Sequence, residues 1–315
     1  VIGSGATAVT LVPEMSKDTA SMTMLQRSPT YIASVPARDT MAEWLRKWLP
    51  DSAVFRLTRW KRVLFQMYVY QLSRRKPKQL RHFLLKQVRE ELGPDYDVAT
   101  HFTPNYNPWD QRLCLVPDND MFDAMKAGKA AVVTDNIDRF TKTGLALKSG
   151  AHLDADIIVT ATGLNLQILG GADFYVDGAK VDFGQTYSYE GMMFSNVPNM
   201  ASVFGYVNAS WTLRADLISR YLCRVINHMD ATGTRQFTPI APQGMAMHPW
   251  MDFFQAGYLK RSLHELPKQG DVEPWLNLQD YTRDKKHLPS KPVDDGAMVF
   301  SNPKLAAEAA VEAAQ

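Results

Sequence analysis

The glycine-rich run Val1-Ile2-Gly3-Ser4-Gly5-Ala6-Thr7-Ala8 joins an apolar strand end to the start of a helix, and it restricts the fold more than any other stretch. Gly3 permits a tight turn out of the strand, and Gly5 carries no side chain to block approach to the backbone. Ala8, in the third slot, is small enough for a helix to pack on a sheet. Such a helix aims free N–H groups and the positive end of its dipole at an anion. The turn therefore reads as a cradle for a dinucleotide pyrophosphate, with Gly3, Ser4, Gly5, Ala6 and Thr7 as the contacting residues. About twenty residues on, Met22-Thr23-Met24-Leu25-Gln26-Arg27-Ser28-Pro29 reads as a second strand that ends in an arginine and not an acid. An acid at that place accepts the ribose hydroxyls of NAD, whereas an arginine pairs with the 2′-phosphate of NADP. Arg27 and Ser28 therefore point to NADPH. The plain alternative for Arg27 is a surface arginine after an ordinary strand.

Composition narrows the class. At 315 residues, with 45% hydrophobic and 22% charged side chains, the chain can bury the cores of two modest globular domains. A net charge of +2 neither favours nor excludes nucleic acid. Cys114 and Cys223 form no disulfide framework, CxxC pair or zinc spacing, which fits a reducing, cytoplasmic compartment. His101, His152, His228 and His248 show no metal-ligand spacing, so no metal is expected. No apolar run is long enough to span a bilayer, and no signal peptide is visible. Val1 already stands at the end of a strand, which is an unnatural start for a dinucleotide fold. The chain is expected to continue a longer protein.

From about residue 40 to 92 the apolar positions fall three and four apart, as in helices. The same stretch is strongly basic, including Arg46, Lys47, Arg56, Arg59, Lys61 and Arg62. One reading is a helical insertion with a solvated basic face; the other is contact with an anionic membrane surface. The aromatic, proline-rich passage from His101 to Arg112 has the character of a loop that lines a site. Strands are expected at Ala131–Val133, Ile137–Phe140, Leu145–Lys148, Asp156–Thr160 and Met200–Gly205, with Gly144 marking a hairpin. Asn208-Ala209-Ser210-Trp211-Thr212 offers cap residues for a helix to about Asn227, and the alanine-rich end from Lys304 is expected to fray.

Four landmarks stand in fixed order: Gly3-Ser4-Gly5-Ala6-Thr7-Ala8, Gln26-Arg27-Ser28-Pro29, Asp110-Gln111-Arg112-Leu113-Cys114 and Ala161-Thr162-Gly163. In these the chain resembles the C-terminal two-thirds of the class B flavoprotein monooxygenases, the Baeyer–Villiger monooxygenases and their flavin-containing relatives. The resemblance implies an α/β fold: a Rossmann-like NADP-binding domain over 1–155, with a helical insertion at about 36–110. The C-terminal part of a Rossmann-like FAD-binding domain follows over 156–232, and an extension over 233–315. It implies FAD and NADPH as cofactors, and dioxygen with a ketone, thioether or thioamide as substrates. In the family, a C4a-peroxyflavin inserts one oxygen into a ketone or oxidises sulfur.

By the same resemblance Arg112 is the catalytic cation beside the reacting oxygen, a task suited to a guanidinium that stays charged when desolvated. Gln111 stands where many relatives carry a lysine for the 2′-phosphate, so Arg27 is left with more of that work. Gly163 approaches FAD through its backbone. Asn208, Ser210 and Trp211 precede a helix whose N-terminus would face the flavin; plain helix capping is the competing reading. The family's first FAD fingerprint and its histidine-containing signature precede the NADPH turn and are not in this sequence. Alternatives are therefore an N- or S-oxygenating flavin monooxygenase without Baeyer–Villiger activity, and a non-catalytic NADP-binding remnant. A flavin-free NADP dehydrogenase would need a base or metal that is not apparent, and a flavin disulfide reductase would need a CxxC pair.

Overall fold

The computed structural model describes residues 1–111, 113–251 and 257–303, which form two compact units, Val1–Leu164 and Asn165–Gln315. The first unit begins with α1 (Ala6–Met15), β1 (Met22–Gln26), β2 (Tyr31–Val35), α2 (Thr40–Leu45), α3 (Asp51–Arg75), α4 (Pro77–Leu92) and α5 (Val98–Phe102). It continues through β3 (Leu113–Pro117), α6 (Asp120–Lys126), β4 (Ala130–Thr134), β5 (Ile137–Phe140), β6 (Gly144–Leu147) and β7 (His152–Asp154).

Parallel pairing dominates the first part of this unit. Strand β1 runs beside β4 with Met22 opposite Ala130, and β2 runs beside β3 with Tyr31 opposite Leu113. Ile2 makes parallel bridges to Leu25 on one side and Thr160 on the other. Parallel strands covered on both faces are apolar throughout, and Met22, Met24 and Leu25 are all buried. Helix α1 packs through Ala8, Val9 and Val12, and Ala8 is wholly buried, as the third slot of the turn requires. Helix α4 starts on Pro77, where a missing N–H costs nothing, and buries Leu80, Leu84, Leu85 and Val88 along one side. Helix α3 is different: over 25 residues it buries only Val54, Val63 and Ser73.

Strands β5, β6 and β7 form an antiparallel meander. Gly144 belongs to this hairpin, since the Thr141 N–H donates to its carbonyl. Its φ of 155° and its contact with β7 add a second reason for glycine: a Cβ there would overlap the Leu153 carbonyl oxygen.

The expected strand at Asp156–Thr160 is not formed as a ladder. Only Thr160 is bridged, because Ile2 offers it a partner over one residue: Ile2 N–H donates to Val159 O and Ala161 N–H to Ile2 O. Met200–Gly205 likewise forms no strand, and Ser202 N–H donating to Met192 O is its one described cross-segment backbone bond. Apolar β-branched sequence without an adjacent strand has no ladder to join.

The described part of the second unit consists of short antiparallel pairs and three α-helices. These are β8 (Tyr175–Val176) with β9 (Ala179–Lys180), then β10 (Ser188–Tyr189) with β11 (Met193–Phe194), followed by α7 (Trp211–Thr232). After α7 come β12 (Gln236–Pro239), β13 (His248–Pro249), α8 (Gly257–Ser262), β14 (Lys268–Gln269), α9 (Tyr281–Ser290) and β15 (Met298–Ser301). Strands β12 and β15 pair, as do β13 and β14. Helix α7 runs five residues past the expected end and stops where Gly233 adopts a left-handed conformation, φ 66°. The alanine-rich end from Lys304 lies outside the described residues.

Candidate functional site

The glycine turn is fixed by strand neighbours before any ligand is considered. Gly3 N–H donates to Leu25 O, and the Val1 terminal ammonium donates to Thr23 O. Gly3 has φ 132°, and a Cβ on it would overlap the Ala161 carbonyl oxygen. Glycine is thus required twice over, for the bend and for the approach of the Ala161–Gly163 segment. Gly5 serves a different end. It is the N-cap of α1 in extended conformation, no side chain caps the helix, and nothing stands within 4 Å of where its Cβ would be. Gly5, Ala6 and Thr7 are exposed, and the first turn of α1 carries no acid. The first-turn amides therefore face open space with the helix dipole behind them.

Ser4 closes the cradle on one side: its hydroxyl donates to Ser28 O at 3.1 Å. Arg27 and Ser28 are thereby held beside the turn, both exposed. No carboxylate of the described residues pairs with Arg27. On the other side, the buried Cys114 of β3 approaches Ser4 O, with Sγ at 3.9 Å.

Gln111 reaches the same end of the unit through the β2–β3 register. Tyr31 lies opposite Leu113, and Gln111, two residues ahead of Leu113 in the sequence, bridges Pro108. The loop ahead of β3 is latched at several points. The Tyr31 hydroxyl donates to Tyr106 O at 2.7 Å, and the Thr30 and Tyr106 hydroxyls share a 3.0 Å bond. Asp110 accepts from Arg74 at the end of α3 at 2.9 Å. Trp109 holds a left-handed backbone, φ 69°, and meets Tyr70 edge-on with ring centroids 6.2 Å apart. Its buried indole N–H has no partner among the described residues. Arg112 lies outside the described residues.

The structure thus brings Gly3, Ser4, Gly5, Ala6, Thr7, Arg27, Ser28 and Gln111 to one end of the first unit. Gly163 follows two residues after the Ala161 contact, exposed, with φ 98° and free space where a Cβ would stand. Asn208, Ser210 and Trp211 belong to the second unit. Asn208 is committed to structure, its amide donating to Gln279 O at 3.1 Å. Ser210 is the N-cap of α7 by backbone, but its hydroxyl bonds Thr212 at 2.9 Å instead of a helix N–H. Trp211 is half exposed, meets Phe204 at a tilt with ring centroids 4.8 Å apart, and occupies the space a Cβ on Gly205 would need.

Sequence reasoning missed a buried ionic cluster in the second unit. The Arg214 guanidinium donates to Asp284 at 2.9 Å and to Glu190 O at 2.8 Å, and it lies over the Tyr206 ring, whose hydroxyl donates to Asp284 at 2.7 Å. Arg214 and Asp284 are 4% and 6% exposed, so the pair is shut from water. Beside it, Lys291 joins Glu190 and Asp295, and the Tyr189 hydroxyl donates to Asp295. Burial pushes the Tyr189 hydroxyl far up, so it remains a donor; it also raises Tyr221, to about 12. A signal was available: Arg214 sits on the same face of α7 as Leu217, Ile218 and Tyr221. A charge on a buried stripe needs a buried partner.

No family model matches the chain. It is 51% identical over 303 residues to the FAD-containing monooxygenase EthA of Mycobacterium tuberculosis, covering 96% of this chain and 62% of that protein. It is 48% identical over 302 residues to the probable FAD-binding monooxygenase AlmA of Acinetobacter baylyi, covering 95% and 60%. The chain is thus similar to FAD-containing monooxygenases over nearly its whole length. It spans about three fifths of the length of these curated relatives. The family resemblance read from the four landmarks therefore holds. Two solved structures share the fold of this chain at low identity. An oxidised steroid monooxygenase bound to NADP superposes with TM-score 0.65 at 18% identity, covering 96% of this chain and 66% of that one. A complex of OTEMO with FAD and NADP gives TM-score 0.65 at 16% identity, covering 95% and 66%. The α/β, Rossmann-like expectation agrees with both. Among the described residues, no helix is long and apolar enough to cross a membrane.

Proposed function

We propose that this chain carries the NADPH-binding domain and part of the FAD-binding domain of a flavin-dependent monooxygenase. Its substrates are dioxygen and either a ketone or a soft sulfur compound such as a thioether or thioamide. The observation that carries the reading is the uncapped first turn of α1, open above Gly5, with Arg27, which pairs with no carboxylate of the described residues, held beside it through Ser4 and Ser28.

The donor set fits NADPH. Backbone N–H groups with a helix dipole suit a pyrophosphate, and a guanidinium fork suits a phosphate monoester. Gln111 can add a hydrogen bond there but no charge, so discrimination between NADPH and NADH falls to Arg27. For FAD, the bare backbone at Gly163 allows close approach. The N-terminus of α7 is not capped by Ser210 and carries no acid in its first turn, which favours a neighbouring anion. When bound, FAD supplies the activation of dioxygen. Arg112 is assigned by its motif position to hold the negative charge that develops on oxygen; Trp109 and the latched loop before β3 lead to it.

Titration of the chain with NADPH and NADH tests the reading. NADPH should bind roughly tenfold tighter or more, the worth of a hydrogen bond to a charged group. Arg27→Ala should remove that preference and leave the NADH affinity unchanged. Equal losses for both nucleotides would overturn the role given to Arg27.

A further inference from the structure

We propose that the outward face of α3, together with the turn that precedes it, docks on an anionic lipid surface, so that the protein lies on a membrane without crossing it. The inference stands on the first unit alone and does not depend on the flavin reading.

Leu57, Trp60, Leu64 and Tyr68 are spaced i, i+3, i+7 and i+11, which puts them on one stripe over three turns of helix. Their exposures are 50%, 46%, 59% and 65%. The buried residues of α3 are Val54, Val63 and Ser73, none of them among the four of the stripe. Trp48, in the turn before α3, is 74% exposed. Large apolar side chains are ordinarily buried, and single exposed ones need no explanation; a stripe of four in register on one helix does. Helix α3 is about 37 Å long, so the stripe is an extended ridge and no pocket for a small molecule.

Charge identifies the partner. Residues 40–92 hold thirteen lysines and arginines against four acids, which leaves 22 basic and 29 acidic side chains for the rest of the chain. The positive charge is therefore concentrated in this helical stretch, and six of its thirteen cations lie on α3 against one acid, Asp51. Arg56 flanks the stripe and Arg75 continues it, both exposed. Aromatic and aliphatic side chains on one face with basic residues alongside describe a helix that lies in the lipid interface, its rings and leucines among the headgroups and its cations on anionic lipid. A second copy of the chain would bring one basic face against another, which repels. Nucleic acid would satisfy the cations but leave Leu57 and Leu64 in water.

Co-sedimentation of the whole chain with vesicles decides the matter, comparing phosphatidylcholine alone with a mixture containing roughly one third phosphatidylglycerol. The chain should partition onto the anionic vesicles roughly tenfold more strongly than onto the neutral ones, and added salt should weaken binding. Leu57→Glu/Leu64→Glu and Arg56→Glu/Arg75→Glu should each reduce partitioning by roughly tenfold. Phe140→Glu, which alters an exposed aromatic on β5, should leave it unchanged. Tryptophan emission of the unaltered chain should be quenched by brominated lipid in the anionic vesicles, a readout that needs no variant. Absence of binding to anionic vesicles, equal binding by all the variants, or loss of self-association with vesicle binding intact would each overturn the proposal.

Discussion

Gly3 shows how one residue can be constrained from two directions. A side chain there would be strained by a φ of 132° and would overlap Ala161 O. Gly3→Ala should therefore destabilise the first unit by about 2–4 kcal/mol, read as a lower urea midpoint. Gly5→Ala meets nothing and should leave that midpoint almost unchanged while weakening NADPH binding. The cluster in the second unit makes a second residue-scale test. Arg214→Met leaves Asp284 as a buried carboxylate without its guanidinium, which should cost about 3–5 kcal/mol. Adding Asp284→Leu should recover much of that loss, because the cost lies in a buried carboxylate whose remaining cation contact is the longer one to Arg283 at 3.4 Å. Recovery would appear as a large coupling energy in the double-mutant cycle. Gly191 belongs to the same design, since a Cβ there would overlap the Arg214 guanidinium.

At the scale of elements, the latch between α3 and the loop before β3 links the basic helices to the candidate cofactor site. The Arg74–Asp110 pair is partly exposed, at 45% and 33%, so its contribution is small. Asp110→Asn should weaken NADPH binding by no more than about threefold, measured in the same titration. The segment between α9 and β15 holds a more buried ionic contact, Lys291 with Asp295 at 2.5 Å. Burial pushes the Asp295 carboxyl up, but the Lys291 ammonium and the N–H groups of Met298 and Ala297 more than offset it and hold it below the ordinary carboxylate value. A pKa depressed by folding contributes stability that is present above the unfolded value, about 3.9, and is lost as pH falls through the folded one. The melting temperature should therefore fall between about pH 5 and 3, and fall less steeply in Asp295→Asn.

Across the whole molecule, what was legible in the sequence is local. The turn at Gly3–Gly5, the strand before Arg27, the β5–β6 hairpin and the start of α7 follow from glycine positions, alternation and caps within a few residues. What was not legible depends on distant partners. Asp156–Thr160 and Met200–Gly205 have strand composition, but no neighbouring strand builds a ladder with them. Asn208, read as a cap or a flavin neighbour, is tied to Gln279 71 residues away, and Arg214 to Asp284 70 residues away. Of the candidate site, the residue types were readable from the motif. The Ser4–Ser28 bond and the β2–β3 register that gather them were not. The account as a whole rests on the guanidinium of Arg27 gripping the 2′-phosphate of NADPH. Phosphorus NMR of NADPH bound to the chain reads that contact directly. The 2′-phosphate resonance should shift on binding to the unaltered chain and return to its free position with Arg27→Ala, while the pyrophosphate resonances shift with both. A 2′-phosphate resonance that stays at its free position while the pyrophosphate shifts would contradict the account.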